Sequence, residues 1–167
     1  MQRTGRLFLV MGLPASGKTS FARALAAALD GVHLSSDAIR AELARRGTYQ
    51  DADKEAVYAE MLRRTAQVLS EGRDVVADAT FHRQARRALF LNLAKAQEVP
   101  YRLIEIRASE ATTRQRLQVP RPDSEATWAV YLLLKKEWEP PTEPHEVLYT
   151  DHATPEELVE GYLGEVL

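Results

Sequence analysis

The stretch that most restricts what this chain can fold into is Gly12-Leu13-Pro14-Ala15-Ser16-Gly17-Lys18-Thr19, which fits the pattern G-x-x-x-x-G-K-[ST]. An apolar run, Leu7 to Met11, precedes it, and an alanine-rich helical stretch follows it. Strand, loop and helix therefore stand in the order that a phosphate cradle requires. Glycines let the backbone curl so that successive N–H groups face one anion, and a helix opening near Lys18 points its positive dipole end at the same place. Lys18 then holds the outer phosphates of a nucleoside triphosphate, and the Thr19 hydroxyl is a ligand for Mg²⁺. Gly12, Pro14, Ala15, Ser16, Gly17, Lys18, Thr19 and Ser20 are the candidate nucleotide-binding residues. The plain alternative, a glycine turn ahead of a core helix, does not account for the flanking strand and helix.

A chain of 167 residues is long enough for one domain with a proper core and short for two. We read residues 1–167 as a single domain, without internal repeat or linker. The formal charge of −2 supplies no global basic field for nucleic acid, so a local patch would have to do that work. Cysteine is absent, which removes disulfide, thiolate-metal and cysteine-nucleophile readings together. No apolar run approaches a membrane span and no signal-peptide pattern opens the chain. The expectation is a soluble cytoplasmic protein, monomeric or homodimeric.

Beyond the loop, Phe21, Leu25 and Leu29 recur every four residues and predict a helix ended by Asp30-Gly31. A short strand, Val32 to Leu34, delivers Ser35-Ser36-Asp37, with Asp37 where a helix N-cap would stand. A helix is predicted from about Asp51 to Glu71. Asp74 to Asp78 then reads as a buried strand whose last residue is a carboxylate, the place expected for the Asp that positions Mg²⁺. A helix-capping role is the plainer reading of either aspartate. Thr80 follows Asp78, and the next helix carries Arg83 and Arg87 one turn apart, able to point together at a substrate. His82 has no second histidine or carboxylate at metal-ligand spacing and reads as an ordinary loop residue.

After a strand from Tyr101 to Arg107, a helix carrying Arg114 and Arg116 leads to Pro120-Arg121-Pro122 and then a further helix from Ser124. Two helices bracketing an arginine-bearing, proline-broken connection, residues 109–138, suggest a hinged lid that excludes water and brings cations to a transferring phosphoryl group. A plain helix–loop–helix with solvated arginines is the alternative. His145 to Tyr149 predicts a last strand, and Thr154-Pro155-Glu156-Glu157 is a capping-box start for a terminal helix. Five strands alternating with helices imply an α/β fold: a parallel sheet sandwiched by helices, with its ligands at the carboxyl ends of the strands. The phosphate loop, Asp37 and Asp78 all fall there.

These residues, with Ser36-Asp37-Ala38-Ile39-Arg40, Asp78-Ala79-Thr80-Phe81 and the arginine-bearing lid, resemble the AAA-type P-loop kinases related to polynucleotide 5′-hydroxyl kinases, gluconate kinases and zeta toxins. The resemblance covers nearly the whole chain. It implies a P-loop NTPase fold with a helical lid, ATP and Mg²⁺ as cofactors, and transfer to a hydroxyl group. By similarity, Asp37 is the general base and Arg40 binds an anion of the acceptor. Arg116 and Arg121 are the candidate catalytic lid arginines, and Arg114 a nucleotide ligand. Asp78 is a metal or acceptor ligand, and Thr80 and Arg87 are further acceptor ligands.

Three readings follow. The first is a kinase for a small hydroxyl-bearing acceptor, favoured by the compact, slightly acidic chain. The second is a polynucleotide 5′-hydroxyl kinase, supported by Asp37 with Arg40 and by help from Arg83 and Arg87. The third is a P-loop ATPase or nucleotide-binding switch without acceptor, for which Asp37 and a lid are more than is required.

Overall fold

Each strand of the central sheet has to satisfy two apolar faces, and β1 (Leu7–Met11) does so with five consecutive buried residues. Leu7, Leu9 and Met11 enter one core and Phe8 and Val10 the other, as the two-residue period of a strand dictates. The structure is a computed structural model that describes residues 3–45, 54–119 and 126–166. After β1 come α1 (Lys18–Leu29), β2 (Val32–Ser35), α2 (Ser36–Arg45), α3 (Lys54–Ser70), β3 (Val75–Ala79) and α4 (Gln84–Ala96). The chain continues through β4 (Tyr101–Arg107), α5 (Glu110–Leu117), α6 (Trp128–Glu137), β5 (Glu146–Tyr149) and α7 (Pro155–Val166).

The five strands are parallel, in the order β2-β3-β1-β4-β5. Helices cover both faces, as expected for parallel strands joined by crossovers. On one face Phe21, Leu25 and Ala26 of α1 pack with Val159 and Tyr162 of α7 over Phe8, Val10, Val76, Ile104 and Ile106. On the other, α2, α3 and α4 contribute Ile39, Leu43, Val57, Met61, Phe90 and Ala94. Among the described residues no helix is long and apolar enough to cross a membrane.

Element boundaries differ from expectation in instructive places. Strand β3 runs to Ala79, which pairs with Met11, so Asp78 is penultimate and stands opposite Val10. Asp74 lies just before the strand, where its buried carboxylate accepts from Arg3 Nη2 at 2.8 Å, Arg6 Nη2 at 2.7 Å and the Arg6 backbone N–H at 2.9 Å. Helix α2 begins at Ser36, which puts Asp37 inside its first turn; the capping contact is from the Ala38 N–H to Ser35 Oγ, 3.4 Å. The predicted start of α3 at 51–53 lies outside the described residues.

Candidate active site

The loop between β1 and α1 is shaped by two left-handed residues, Ala15 at φ 62° and Gly17 at φ 94°. For an L-residue such as Ala15 that conformation costs about 1 kcal/mol, so the loop is held rather than merely allowed. Gly12 has no room for a side chain: a Cβ there would lie 2.6 Å from Ser16 Oγ and 2.7 Å from the Ile106 carbonyl oxygen. Its N–H donates to the Thr80 carbonyl at 3.3 Å, which ties the loop to the segment after β3. Lys18 opens α1 and is buried. Ser16 Oγ is buried with no hydrogen-bond partner among the described residues. An orphaned hydroxyl inside a curled loop at a helix N-terminus fits an anion's oxygen.

The acidic side of the site is assembled from β2, β3 and α1. Thr19 Oγ1 donates to Asp78 Oδ1 at 3.0 Å, and the other carboxylate oxygen of the buried Asp78 is hydrogen-bonded to His33 Nε2. A hydroxyl and a carboxylate side by side are hard oxygen donors, which fit Mg²⁺ completed by phosphate and water. His33 was not singled out in the sequence as a site residue. The two-residue period puts His33 on the face of Ser35, but only the pairing of Ser35 with Asp78 in the sheet brings that face to the carboxylate.

Asp37 is partly exposed, and its Oδ1 accepts from Arg40 Nη1 at 3.1 Å. The structure thus joins the two residues expected to meet the acceptor. Thr80 is half-buried and presents its carbonyl to Gly12. Next to it, Phe81 is left-handed at φ 48°, with its N–H donating to the Tyr58 hydroxyl at 3.3 Å. Burial raises the Tyr58 pKa above the usual phenol value.

Three arginines are placed otherwise than expected. Arg87 is fully buried; Nη1 donates to the Phe81 carbonyl at 2.6 Å and Nη2 to the Glu139 carbonyl at 2.8 Å. Its guanidinium is enclosed between protein carbonyls and lacks the exposure an acceptor ligand needs, and burial lowers its pKa. Arg83 does not join it, standing instead 3.5 Å from Glu137 and 3.8 Å from Glu139. Arg114 lies over the Trp128 ring, 4.9 Å from its centroid, in a contact between α5 and α6. Arg116 does reach the phosphate loop, but through its backbone: Nη1 donates to the Ala15 carbonyl at 3.1 Å and to Thr150 Oγ1 at 2.9 Å, and Nη2 to the Thr150 carbonyl at 2.9 Å. Arg121 lies outside the described residues.

Beside Thr150 a cavity of about 510 Å³ is lined by Ser109, Thr112, Tyr149, Asp151, His152 and Ala153. The Asp151 carboxylate there accepts from the Ser109 N–H at 2.9 Å, and its bonds from Ser109 and Thr112 bring its pKa down to about 2.

A five-stranded parallel sheet with a phosphate loop after its central strand, and helices on both faces, defines a P-loop NTPase fold of the kinase-like kind. The chain belongs to the AAA domain family, which matches residues 7–141. Among solved structures it is similar to Kti12 of Chaetomium thermophilum, determined with ADP-AlF3: TM-score 0.74, 20% identity, covering 96% of this chain and 99% of that one. It is also similar to the Mycobacterium tuberculosis APS kinase CysC in complex with AMPPNP and APS (TM-score 0.72, 16% identity, 97% of each chain). A gluconokinase of Sinorhizobium meliloti 1021 aligns with TM-score 0.62 and 18% identity over 98% of this chain and 95% of that one. No curated protein matches the chain. The resemblance carried by the loop and the two strand-end aspartates thus holds for family and fold.

Proposed function

We propose that the protein is an ATP-dependent phosphotransferase that moves the γ-phosphate to a hydroxyl of a small acceptor. The observation that carries this reading is the convergence at the carboxyl ends of three adjacent strands: the phosphate loop after β1, Asp37 after β2, and Asp78 in β3 bonded to Thr19. A nucleotide switch needs the loop and Asp78; it has no use for a partly exposed carboxylate and arginine pair after β2.

In this reading the loop from Gly12 to Ser20 binds the phosphates, with Lys18 on the outer ones. Thr19 and Asp78 would hold Mg²⁺, which when bound offsets charge on the phosphates. Asp37 takes the proton from the acceptor hydroxyl as that oxygen bonds to the γ-phosphorus and the bond to the bridging oxygen breaks, releasing ADP. Arg40 orients Asp37 and meets an anionic group of the acceptor. Residues 109–138 act as the lid. The cavity lined by Tyr149, Asp151 and His152 takes the nucleoside base, since Thr150 between them touches the phosphate loop.

The test is transfer of γ-labelled phosphate from ATP with Mg²⁺ to a panel of small alcohols and sugars, a 5′-hydroxyl oligonucleotide, and water alone. A labelled small alcohol supports the proposal. A labelled oligonucleotide would replace it with the polynucleotide reading, and labelled inorganic phosphate alone with a hydrolytic one.

A further inference from the structure

We propose that Arg116 and Thr150 are positioning residues that set the shape of the phosphate loop from outside, by holding its carbonyls turned away from the anion. This rests on the nucleotide-binding reading above and assigns Arg116 a task on the protein backbone in place of the phosphates.

In a trans peptide unit the C=O and the N–H point in opposite directions, so fixing one fixes the other. Thr150 Oγ1 donates to the Ser16 carbonyl, and that bond directs the Gly17 N–H to the opposite side, toward the anion cradle. Arg116 Nη1 donates to the Ala15 carbonyl, and the N–H of the same peptide unit, that of Ser16, closes the turn onto the Leu13 carbonyl at 3.2 Å. Arg116 also binds Thr150 twice, at its hydroxyl and its carbonyl. The threonine hydroxyl is thereby oriented: it accepts from the guanidinium and its own proton goes to Ser16. Hydrogen bonds from a charged donor are the stronger kind.

The loop needs such support because its own preferences oppose its shape. Ala15 sits in the left-handed region that an L side chain disfavours, whereas Gly17 reaches it without that cost. At Gly17 the absent side chain is also what admits the brace: a Cβ there would lie 3.0 Å from Thr150 Cγ2 and 3.1 Å from Thr150 Oγ1. The glycine of the motif therefore answers to a residue 133 positions later in the sequence, and Arg116 on α5 closes the contact. Both residues belong to segments, α5 and the β5–α7 connection, that flank the cavity described above.

The experiment pairs calorimetric titration of the protein with ADP and Mg²⁺ and the ¹H–¹⁵N spectrum of the nucleotide-free protein, read at the Gly17 amide. The variants are Thr150→Val, Thr150→Ser, Arg116→Lys, Arg116→Ala and the double Arg116→Ala/Thr150→Val. Lysine keeps the charge but lacks the planar fork by which Nη1 and Nη2 serve different acceptors, and serine keeps the hydroxyl. A brace predicts about tenfold weaker ADP binding in Thr150→Val, Arg116→Lys and Arg116→Ala, with the double variant no worse than the weaker single. It predicts near-normal binding in Thr150→Ser, and a Gly17 amide displaced in both Thr150→Val and Arg116→Lys. Normal binding by Thr150→Val or by Arg116→Lys, or losses that add in the double variant, would overturn it in favour of a charge acting on the nucleotide. Should the wild type not bind ADP, the nucleotide reading fails, and the Gly17 amide still decides: unmoved in these variants, it overturns the brace on its own. Arg116→Lys and Thr150→Ser keep both readouts available where Thr150→Val does not fold.

Discussion

Lys18, Asp37 and His33 divide the proposed chemistry between them, and each can be tested alone. With Asp37 partly exposed and bonded to Arg40, Asp37→Asn keeps the shape of the pair and removes the base. Nucleotide affinity should stay the same while transfer to the acceptor found by the labelling panel falls by about 10²–10⁴. Unchanged turnover in an initial-rate assay would remove Asp37 from that role. His33 acts through another residue. By holding one oxygen of Asp78 it leaves the other toward Thr19, so His33→Ala should move the Mg²⁺ midpoint of nucleotide binding upward by about 10–100-fold. Binding measured in EDTA should be unaffected, and an equal loss with and without Mg²⁺ would mean that His33 only supports the fold.

At the scale of elements, Arg87 shows how burial overrides a pattern. One turn from Arg83 on a polar-looking stretch, it reads as a candidate ligand, yet it joins the loop after β3 to the chain leaving α6 through two carbonyls. Replacement by methionine fills the space but orphans both carbonyls, and should lower unfolding stability by about 3 kcal/mol in urea titrations. A change under about 0.5 kcal/mol, the usual size for a surface position, would contradict the buried clamp. Helix α7 offers a milder case. Thr154 Oγ1 accepts from the Glu157 N–H at 3.1 Å, so Thr154→Ala should cost about 1 kcal/mol in the same titrations.

What could be read from the sequence follows the same division. Strand–loop–helix order, the five strands and the strand-end aspartates follow from local period and turn chemistry, which the chain states residue by residue. The brace on Ser16, the partner of Asp78 and the burial of Arg87 each join segments far apart in sequence, and no local pattern encodes such pairings. Asp78 stands one residue inside the strand end because register with β1, rather than composition, sets where β3 stops.

Across the whole molecule, the sheet is secured at the amino ends of its strands, opposite the site, by Asp74, which holds Arg3 and Arg6 at the start of the chain. Burial alone would raise the Asp74 pKa, but the bonds and charge of Arg6, with Arg3, outweigh it, and the carboxyl sits below its ordinary 3.8. A group depressed in the folded state contributes stability that is fully present above its unfolded pKa and is lost as pH falls through the folded value. Asp74→Asn should therefore lower stability at neutral pH and flatten the part of the acid-unfolding curve that begins below about pH 4. A variant whose stability falls with acid as steeply as the wild type would show that the clamp carries none of that dependence.

The sheet ends that this clamp leaves open form the candidate site, and the account stands or falls on whether the loop there takes a nucleoside triphosphate. Calorimetric titration with a non-hydrolysable ATP analogue in Mg²⁺, run on the wild type and on Lys18→Ala, tests that most directly. The wild type should bind at one site, and the variant should lose most of the affinity while keeping its thermal unfolding midpoint within a few degrees. No binding by the wild type, or equal affinity in both proteins, would contradict the assignment of the loop.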